Sequence, residues 1–120
     1  MIFTQDQSAL QDAARRFSRE HLLPMYQQRE REGRIDRSLL FEMGKLGLLG
    51  MDLPGQYGGM DGDAVTTGMI IEELAYGDFN VGAIAVVLSL CGAVIERNAT
   101  ASVKQSWLPR VTRGEAILAL

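Results

Sequence analysis

Paired acidic residues are the first feature of this sequence whose types and spacing could support chemistry. Glu72 and Glu73 are adjacent in a segment with a helical pattern of apolar residues. Adjacent helical residues point about 100° apart, so these two carboxylates cannot act on one substrate as an acid/base pair. We therefore predict a structural ion pair with an arginine of another helix.

The second such feature is the glycine-rich segment LPGQYGGMDGD, which spans Leu53–Asp63. No strand precedes its glycines, and their spacing matches neither the dinucleotide-binding fingerprint nor the P-loop. Asp61 and Asp63 lack the further carboxylates of a calcium loop, which makes a metal site a weak interpretation. Asp63 is better placed to cap the next helix. The segment therefore indicates a structural loop with no metal ligand.

Composition and charge limit the class of protein. The 120 residues allow one domain, and 47% hydrophobic with 22% charged residues is typical of a globular protein. A net charge of −3 leaves no basic excess for binding nucleic acid. The single cysteine, Cys91, lies in an apolar run and predicts a small buried side chain in a reducing compartment. The start shows no basic segment leading into an apolar run, so we expect a cytoplasmic protein.

The stretch Phe79–Ile95 carries no charged residue and is the element around which we expect the chain to be organised. A helix that is hydrophobic all round is buried on every side. The stretch is short of the roughly 20 apolar residues that span a bilayer, so we expect no membrane span. Two interpretations stay open: a core helix, or a core helix whose surface partly lines an apolar ligand pocket.

Helix boundaries follow from capping residues and breakers. Thr4 and Gln7 have the spacing of a capping box, and Pro24 predicts a kink or restart in the first long helix. Further N-caps are predicted at Asp36, Asp63 and Thr100, and helix stops at Gly33 and Gly47.

The last residues, Ala116–Leu120, form a continuous apolar run that predicts a buried strand, although the sequence offers it no partner strand. We therefore expect a helical domain over residues 1–114 and the start of a further β domain over residues 115–120. Removing Glu115–Leu120 should then leave the melting temperature nearly unchanged. The predicted fold class is all-α, a compact bundle of about five to six helices around a buried central apolar helix, with the start of a truncated β-strand at the C-terminus.

Several short stretches match one enzyme family in order and at its spacing. They are Phe3-Thr4-x-x-Gln7, Pro24, Leu46–Gly50, Leu53-Pro54 with Tyr57-Gly58-Gly59, Glu72–Ala75, and Lys104-Gln105-x-Trp107-Leu108-Pro109 closing on Gly114-Glu115. On these stretches the chain resembles the N-terminal helical domain of the acyl-CoA dehydrogenase family over essentially its whole length.

The resemblance implies a flavoenzyme that binds FAD and oxidises the Cα–Cβ bond of an acyl thioester, carried by CoA or acyl carrier protein. In the family, the glutamate base belongs to a C-terminal domain and the flavin-binding signature to a β domain that follows this one. The resemblance therefore implies no catalytic residue in this chain. It also implies an electron-transfer flavoprotein as partner and a homotetramer or homodimer.

The resemblance carries over four site residues. Val86, Val87 and Leu90 match the helix that lies along the acyl tail, where they would form the wall of a pocket of limited depth for short or branched acyl groups. Leu120 matches a cofactor-binding position that is often aromatic beside the flavin. Ordinary core packing is the alternative for Val86, Val87 and Leu90.

Two other functions stay open at this point. The same fold serves acyl-CoA oxidases and flavin monooxygenases, in which oxygen is the electron acceptor. A self-contained helical interaction module is the third possibility, and the unpaired apolar run at the C-terminus argues against it.

Overall fold

The computed structural model describes residues 2–120, and most of them lie in six α-helices. The helices are α1 (Gln5–Phe17), α2 (Tyr26–Glu32), α3 (Arg37–Lys45), α4 (Ala64–Gly77), α5 (Phe79–Asn98) and α6 (Ala101–Thr112). A short 3₁₀ turn at Gly55–Tyr57 lies in the loop between α3 and α4. Residues 2–120 contain no strand, so the all-α prediction is confirmed.

Side-chain caps begin the helices where the sequence predicts them. Thr4 and Gln7 form the reciprocal capping box: the Thr4 N–H donates to Gln7 Oε1 at 2.9 Å, and the Gln7 N–H donates to Thr4 Oγ1 at 3.1 Å. Asp36, Asp63 and Thr100 cap α3, α4 and α6 through backbone N–H groups of the first turn. These caps satisfy donors that have no partner within the helix.

Pro24 interrupts the first long helix as predicted. The chain passes from α1 into a π-helical segment, Ser18–Leu22, and then a 3₁₀ turn, Leu23–Met25, before α2 restarts at Tyr26. Leu23 keeps helical dihedral angles, so the backbone stays helical here. What changes is the hydrogen-bond pattern, since the Leu23 N–H donates to the carbonyl oxygen of Ser18, five residues earlier. Proline causes it because it has no N–H to donate.

The hydrophobic core lies where α4 packs against α1 and α5. Its fully buried side chains come from every part of the chain, including the loop after α3. Among the largest are Leu22, Leu40, Met43, Leu48, Leu49, Leu53, Ile70, Leu74, Leu88 and Leu108. Cys91 is buried and free, as its apolar setting predicts.

The full burial predicted for Phe79–Ile95 is wrong, because α5 is covered on one side only. The molecule measures 41 × 37 × 21 Å, and its thin dimension equals about two helix diameters. In a slab of that thickness a helix packs against neighbours on one face and presents the other to solvent. Val86, Val87 and Leu90 lie on the open face.

The predicted strand at residues 115–120 is also wrong, because no neighbouring strand is present in residues 2–120 to pair with it. The segment folds back on the helices instead. The N–H groups of Glu115 and Ala116 both donate to the Arg110 carbonyl oxygen, at 2.8 and 3.1 Å. Ala116 is buried and Leu118 packs against the core, whereas Ile117 and Leu120 are exposed.

Candidate functional site on the outer face of helix α5

The outer face of α5 is an apolar stripe exposed to solvent. Val86, Val87 and Leu90 are 46%, 37% and 50% exposed, and their spacing places them on one side of the helix. Phe79 and Val94 extend the same stripe towards the two ends of α5. These three residues are thus not among the buried core residues of the described chain, and their role as a pocket wall stays a prediction. Contiguous exposed apolar faces mark binding or docking surfaces.

The inner face of α5 fixes the helix against α4. Val81, Ala85 and Leu88 are buried there. Gly82 allows the closest approach, because a Cβ at this position would lie 2.7 Å from the Ala75 Cβ. Small residues at the contact thus let the two helices pack tightly, and the stripe is presented by a rigid element.

A buried ion pair anchors the N-terminal end of α5. Asp78 is the N-cap, and its Oδ1 accepts from the Asn80 N–H at 2.9 Å. Arg29 Nε donates to Asp78 Oδ2 at 2.7 Å, which joins α2 to the junction of α4 and α5. Arg29 also donates to the Leu22 carbonyl oxygen beside the π-helical segment. Neither Asp78 nor Arg29 is singled out in the sequence analysis.

A second polar contact holds the middle of α5. The Ser89 hydroxyl donates to Asp52 Oδ2 at 2.5 Å, from α5 to the loop that follows α3. Both residues line a cleft of about 590 Å³ between this loop, α4 and α5. Sequence reasoning missed this pair. The available signal was Ser89 itself, a hydroxyl in the middle of an uncharged run.

The predicted glycine-rich loop is present, and local hydrogen bonds fix its shape. The N–H groups of its four glycines are all used locally: Gly55 donates to the Asp61 carboxylate, Gly58 and Gly59 donate to carbonyl oxygens of the loop, and Gly62 donates to the Met51 carbonyl oxygen just before it. Gly58 adopts a left-handed conformation beside Thr112, whose hydroxyl donates to the Tyr57 carbonyl oxygen at 2.8 Å. Within residues 2–120, no three His, Cys, Asp or Glu side chains are placed to hold a metal ion.

The two adjacent glutamates, Glu72 and Glu73, have different surroundings. Arg15 Nη2 donates to Glu73 Oε1 at 2.8 Å, joining α1 to α4, while Glu72 is exposed. The hydrogen bond from Arg15 to Glu73, together with the charge of Glu73, raises the pKa of the Arg15 guanidinium. The predicted ion pair with an arginine of another helix is confirmed for Glu73.

Leu120, the predicted cofactor-binding residue, lies outside every helix and is 89% exposed. Its position beside a flavin stays a prediction.

Helix α5 is also long and apolar enough to cross a membrane when judged by length and composition alone. A core helix of a folded domain meets the same criteria, and the inner face of α5 packs as such a helix does.

Comparison with known proteins gives one consistent result. The family model "Acyl-CoA dehydrogenase, N-terminal domain" matches residues 4–115. The long-chain specific acyl-CoA dehydrogenase of Rattus norvegicus is 27% identical over 99% of this chain and 28% of its own length. The isovaleryl-CoA dehydrogenase of Pongo abelii is 30% identical over 98% of this chain and 28% of its own length.

Among solved structures, a glutaryl-CoA dehydrogenase from Mycobacterium smegmatis in complex with FADH2 superposes with a TM-score of 0.89 at 33% identity. The match covers 96% of this chain and 30% of that one. The chain thus spans less than a third of the length of these relatives. It belongs to the family of acyl-CoA dehydrogenase N-terminal domains.

Proposed function

We propose that this chain is the N-terminal domain of a longer FAD-dependent acyl-CoA dehydrogenase, in which the outer face of α5 forms one wall of the acyl pocket. The observation that carries the proposal is the exposed apolar stripe with Val86, Val87 and Leu90 at its centre, in a domain of this family. An apolar wall on a rigid helix suits an acyl chain, since apolar side chains line most ligand pockets.

The side chains of the wall favour short or branched acyl groups. Val86 and Val87 are medium-sized and branched, and with Leu90 they leave limited depth for a long chain. The thioester would be carried by CoA or by acyl carrier protein.

We infer that this chain contributes only part of the flavin and substrate site. The N–H groups of the loop glycines already donate to nearby protein oxygens, and Leu120 is an exposed aliphatic side chain. We therefore assign the catalytic base and most of the FAD site to parts of the protein beyond Leu120, with residues 115–120 leading into the next domain. No redox step is assigned to a residue of this chain.

The proposal extends to partners and location. The electron acceptor is an electron-transfer flavoprotein, the assembly is a homotetramer or homodimer, and the compartment is the cytoplasm. Size-exclusion chromatography with light scattering tests the assembly, and fractionation of cells tests the location.

Two expressed proteins test the proposal: the 120-residue chain and the longer polypeptide that contains it. Titrating the chain with FAD should give no saturable change in flavin fluorescence, whereas the longer polypeptide should be isolated with FAD bound. Adding acyl-CoA without oxygen should bleach the flavin of the longer polypeptide. Micromolar binding of FAD by the 120-residue chain, or no bleaching by any acyl-CoA, would contradict the proposal.

The same assay in air separates the dehydrogenase from an oxidase or a monooxygenase. A dehydrogenase should reduce an electron-transfer flavoprotein and consume little oxygen. Rapid oxygen consumption with formation of hydrogen peroxide would indicate an oxidase. A chain that is complete by itself and binds another protein without flavin would indicate an interaction module.

A further inference from the structure

The loop after α3 holds α5 at two successive places. The Ser89 hydroxyl donates to Asp52 Oδ2 at 2.5 Å. Gly92, almost one helical turn further, faces Leu53: a Cβ on this glycine would lie 3.2 Å from both δ carbons of Leu53. Leu53 is fully buried. The neighbouring residues Asp52 and Leu53 therefore fix both the rotation and the depth of the middle of α5.

Ser89 lies at the flank of the proposed acyl wall. At about 100° per residue, it is rotated about 60° from Val86 and about 100° from Leu90 around the helix axis. The Ser89 side chain points into the cleft beside Asp52, whereas Val86 and Leu90 face solvent. Any rotation of α5 that lengthened the Ser89–Asp52 bond would move the wall residues by the same angle.

The bond lies beside buried polar atoms, where apolar side chains would pack at a lower cost in free energy. Asp52 Oδ1 and Thr67 Oγ1 are buried and have no hydrogen-bond partner within residues 2–120. Leaving a buried polar atom without a partner costs free energy, whereas an apolar pair of similar shape avoids that cost. A directional hydrogen bond fixes one arrangement of two packed elements more closely than an apolar contact does.

We propose that Asp52 and Ser89 are positioning residues that fix the rotation of α5 and thereby set which acyl groups the pocket accepts. This inference rests on the proposed function. Neither side chain needs to touch the substrate, because both act through Val86, Val87 and Leu90.

The test compares kcat/KM of the longer polypeptide for a series of straight and branched acyl-CoA substrates. Ser89→Ala removes the bond and should change the preference between short or branched and longer substrates by about tenfold, the effect of roughly one methylene in an apolar pocket. Ser89→Thr keeps the hydroxyl donor, and Asp52→Asn keeps an oxygen acceptor. Both variants can still form the bond, so both should retain a substrate preference near that of the wild type.

Thr67→Val is the matched control, since it removes a hydroxyl that lines the same cleft but makes no bond to α5. Its substrate preference should stay unchanged. In the 120-residue chain, Ser89→Ala should also shift the amide resonances of Val86, Val87 and Leu90, and Thr67→Val should not.

A Val86→Phe variant in the same series distinguishes a failure of the positioning role from a failure of the acyl wall. Suppose that Val86→Phe changes the substrate preference, whereas Ser89→Ala lowers kcat/KM equally for all substrates or for none. The positioning role is then overturned, and the acyl wall is supported. If Val86→Phe leaves the preference unchanged, the wall and the positioning role both fall.

Discussion

Arg29 and Asp78 form the most buried ion pair in residues 2–120, with side chains 13% and 2% exposed. Both oxygens of Asp78 are used, one by Arg29 and one by the N–H of Asn80. Arg29 also donates to the carbonyl oxygens of His21 and Leu22, beside the break at Pro24. One pair thus joins α2, the π-helical segment and the start of α5.

Asp78→Asn should lower the free energy of unfolding by about 3–5 kcal/mol, because it leaves the Arg29 charge buried without a counter-charge. Asparagine remains a good N-cap, so the loss measures the ion pair and not the cap. Glu42→Gln is the matched control. It breaks the exposed Lys45–Glu42 pair and should change the free energy by about 0–1 kcal/mol. Urea unfolding of both variants checks the prediction, and equal losses would contradict it.

Two helical glycines should respond to alanine in opposite directions. A Cβ at Gly68 in α4 meets nothing within 4 Å, so Gly68→Ala should stabilise by about 0.5–1 kcal/mol through helix propensity. A Cβ at Gly44 in α3 would lie 2.4 Å from the backbone carbon of Arg113, so Gly44→Ala should destabilise by about 1–3 kcal/mol. Thermal unfolding measures both. A gain for Gly44→Ala would show that α3 and α6 can move apart freely.

At the scale of elements, local signals in the sequence predicted most helix boundaries. Thr4, Asp36 and Asp63 cap helices through neighbours two or three residues away, and such neighbours are visible in a sequence. The contacts that position α5 could not be predicted in this way. Ser89 and Asp52 are 37 residues apart, and Arg29 and Asp78 are 49 apart, so only the fold brings them together.

The carboxylate caps should make helix stability depend on pH. The backbone N–H of Thr66 donates to Asp63 and lowers the pKa of that carboxyl below its ordinary value of 3.8. The stabilisation is therefore complete above the pKa of the unfolded chain and is lost as the pH falls through the lower pKa of the folded state. The Ser38 N–H lowers the pKa of Asp36 in the same way.

Asp63→Asn provides the test, because asparagine caps the helix without titrating. The stability of the wild type relative to this variant should fall as the pH is lowered from about 5 to about 2, across the ordinary range of an aspartate. Urea unfolding at several pH values measures the difference. A difference that stays constant over this range would mean that the Asp63 carboxylate does not act as the cap.

At the scale of the whole molecule, the sequence predicted an all-helical domain but not which faces would be covered. The apolar run Phe79–Ile95 indicates that α5 favours an apolar environment. Hydropathy alone does not indicate whether other helices of this chain or another molecule provide that environment. Within residues 2–120 the slab covers one face of α5 and leaves the other open. The segment 115–120 does not form a strand for a related reason: a strand needs a neighbouring strand to accept and donate its hydrogen bonds.

Removal of the C-terminal segment should be costly, contrary to the expectation from its sequence. Deleting Glu115–Leu120 removes buried Ala116 and two backbone hydrogen bonds to Arg110, so the melting temperature should fall by more than about 4 °C. Deleting only Ala119 and Leu120, both exposed, is the control and should have little effect. Equal melting temperatures for the two deletions would show that the segment contributes nothing to the core.

Val86→Phe in the longer polypeptide tests whether the outer face of α5 forms an acyl wall. Phenylalanine at an exposed position of the 120-residue chain should leave its melting temperature nearly unchanged, so lost activity would not reflect unfolding. Overfilling a packed pocket costs about 1–3 kcal/mol. We expect kcat/KM to fall about tenfold or more for longer acyl-CoA substrates and little for the shortest ones. An even loss across the series, or no loss at all, would contradict it.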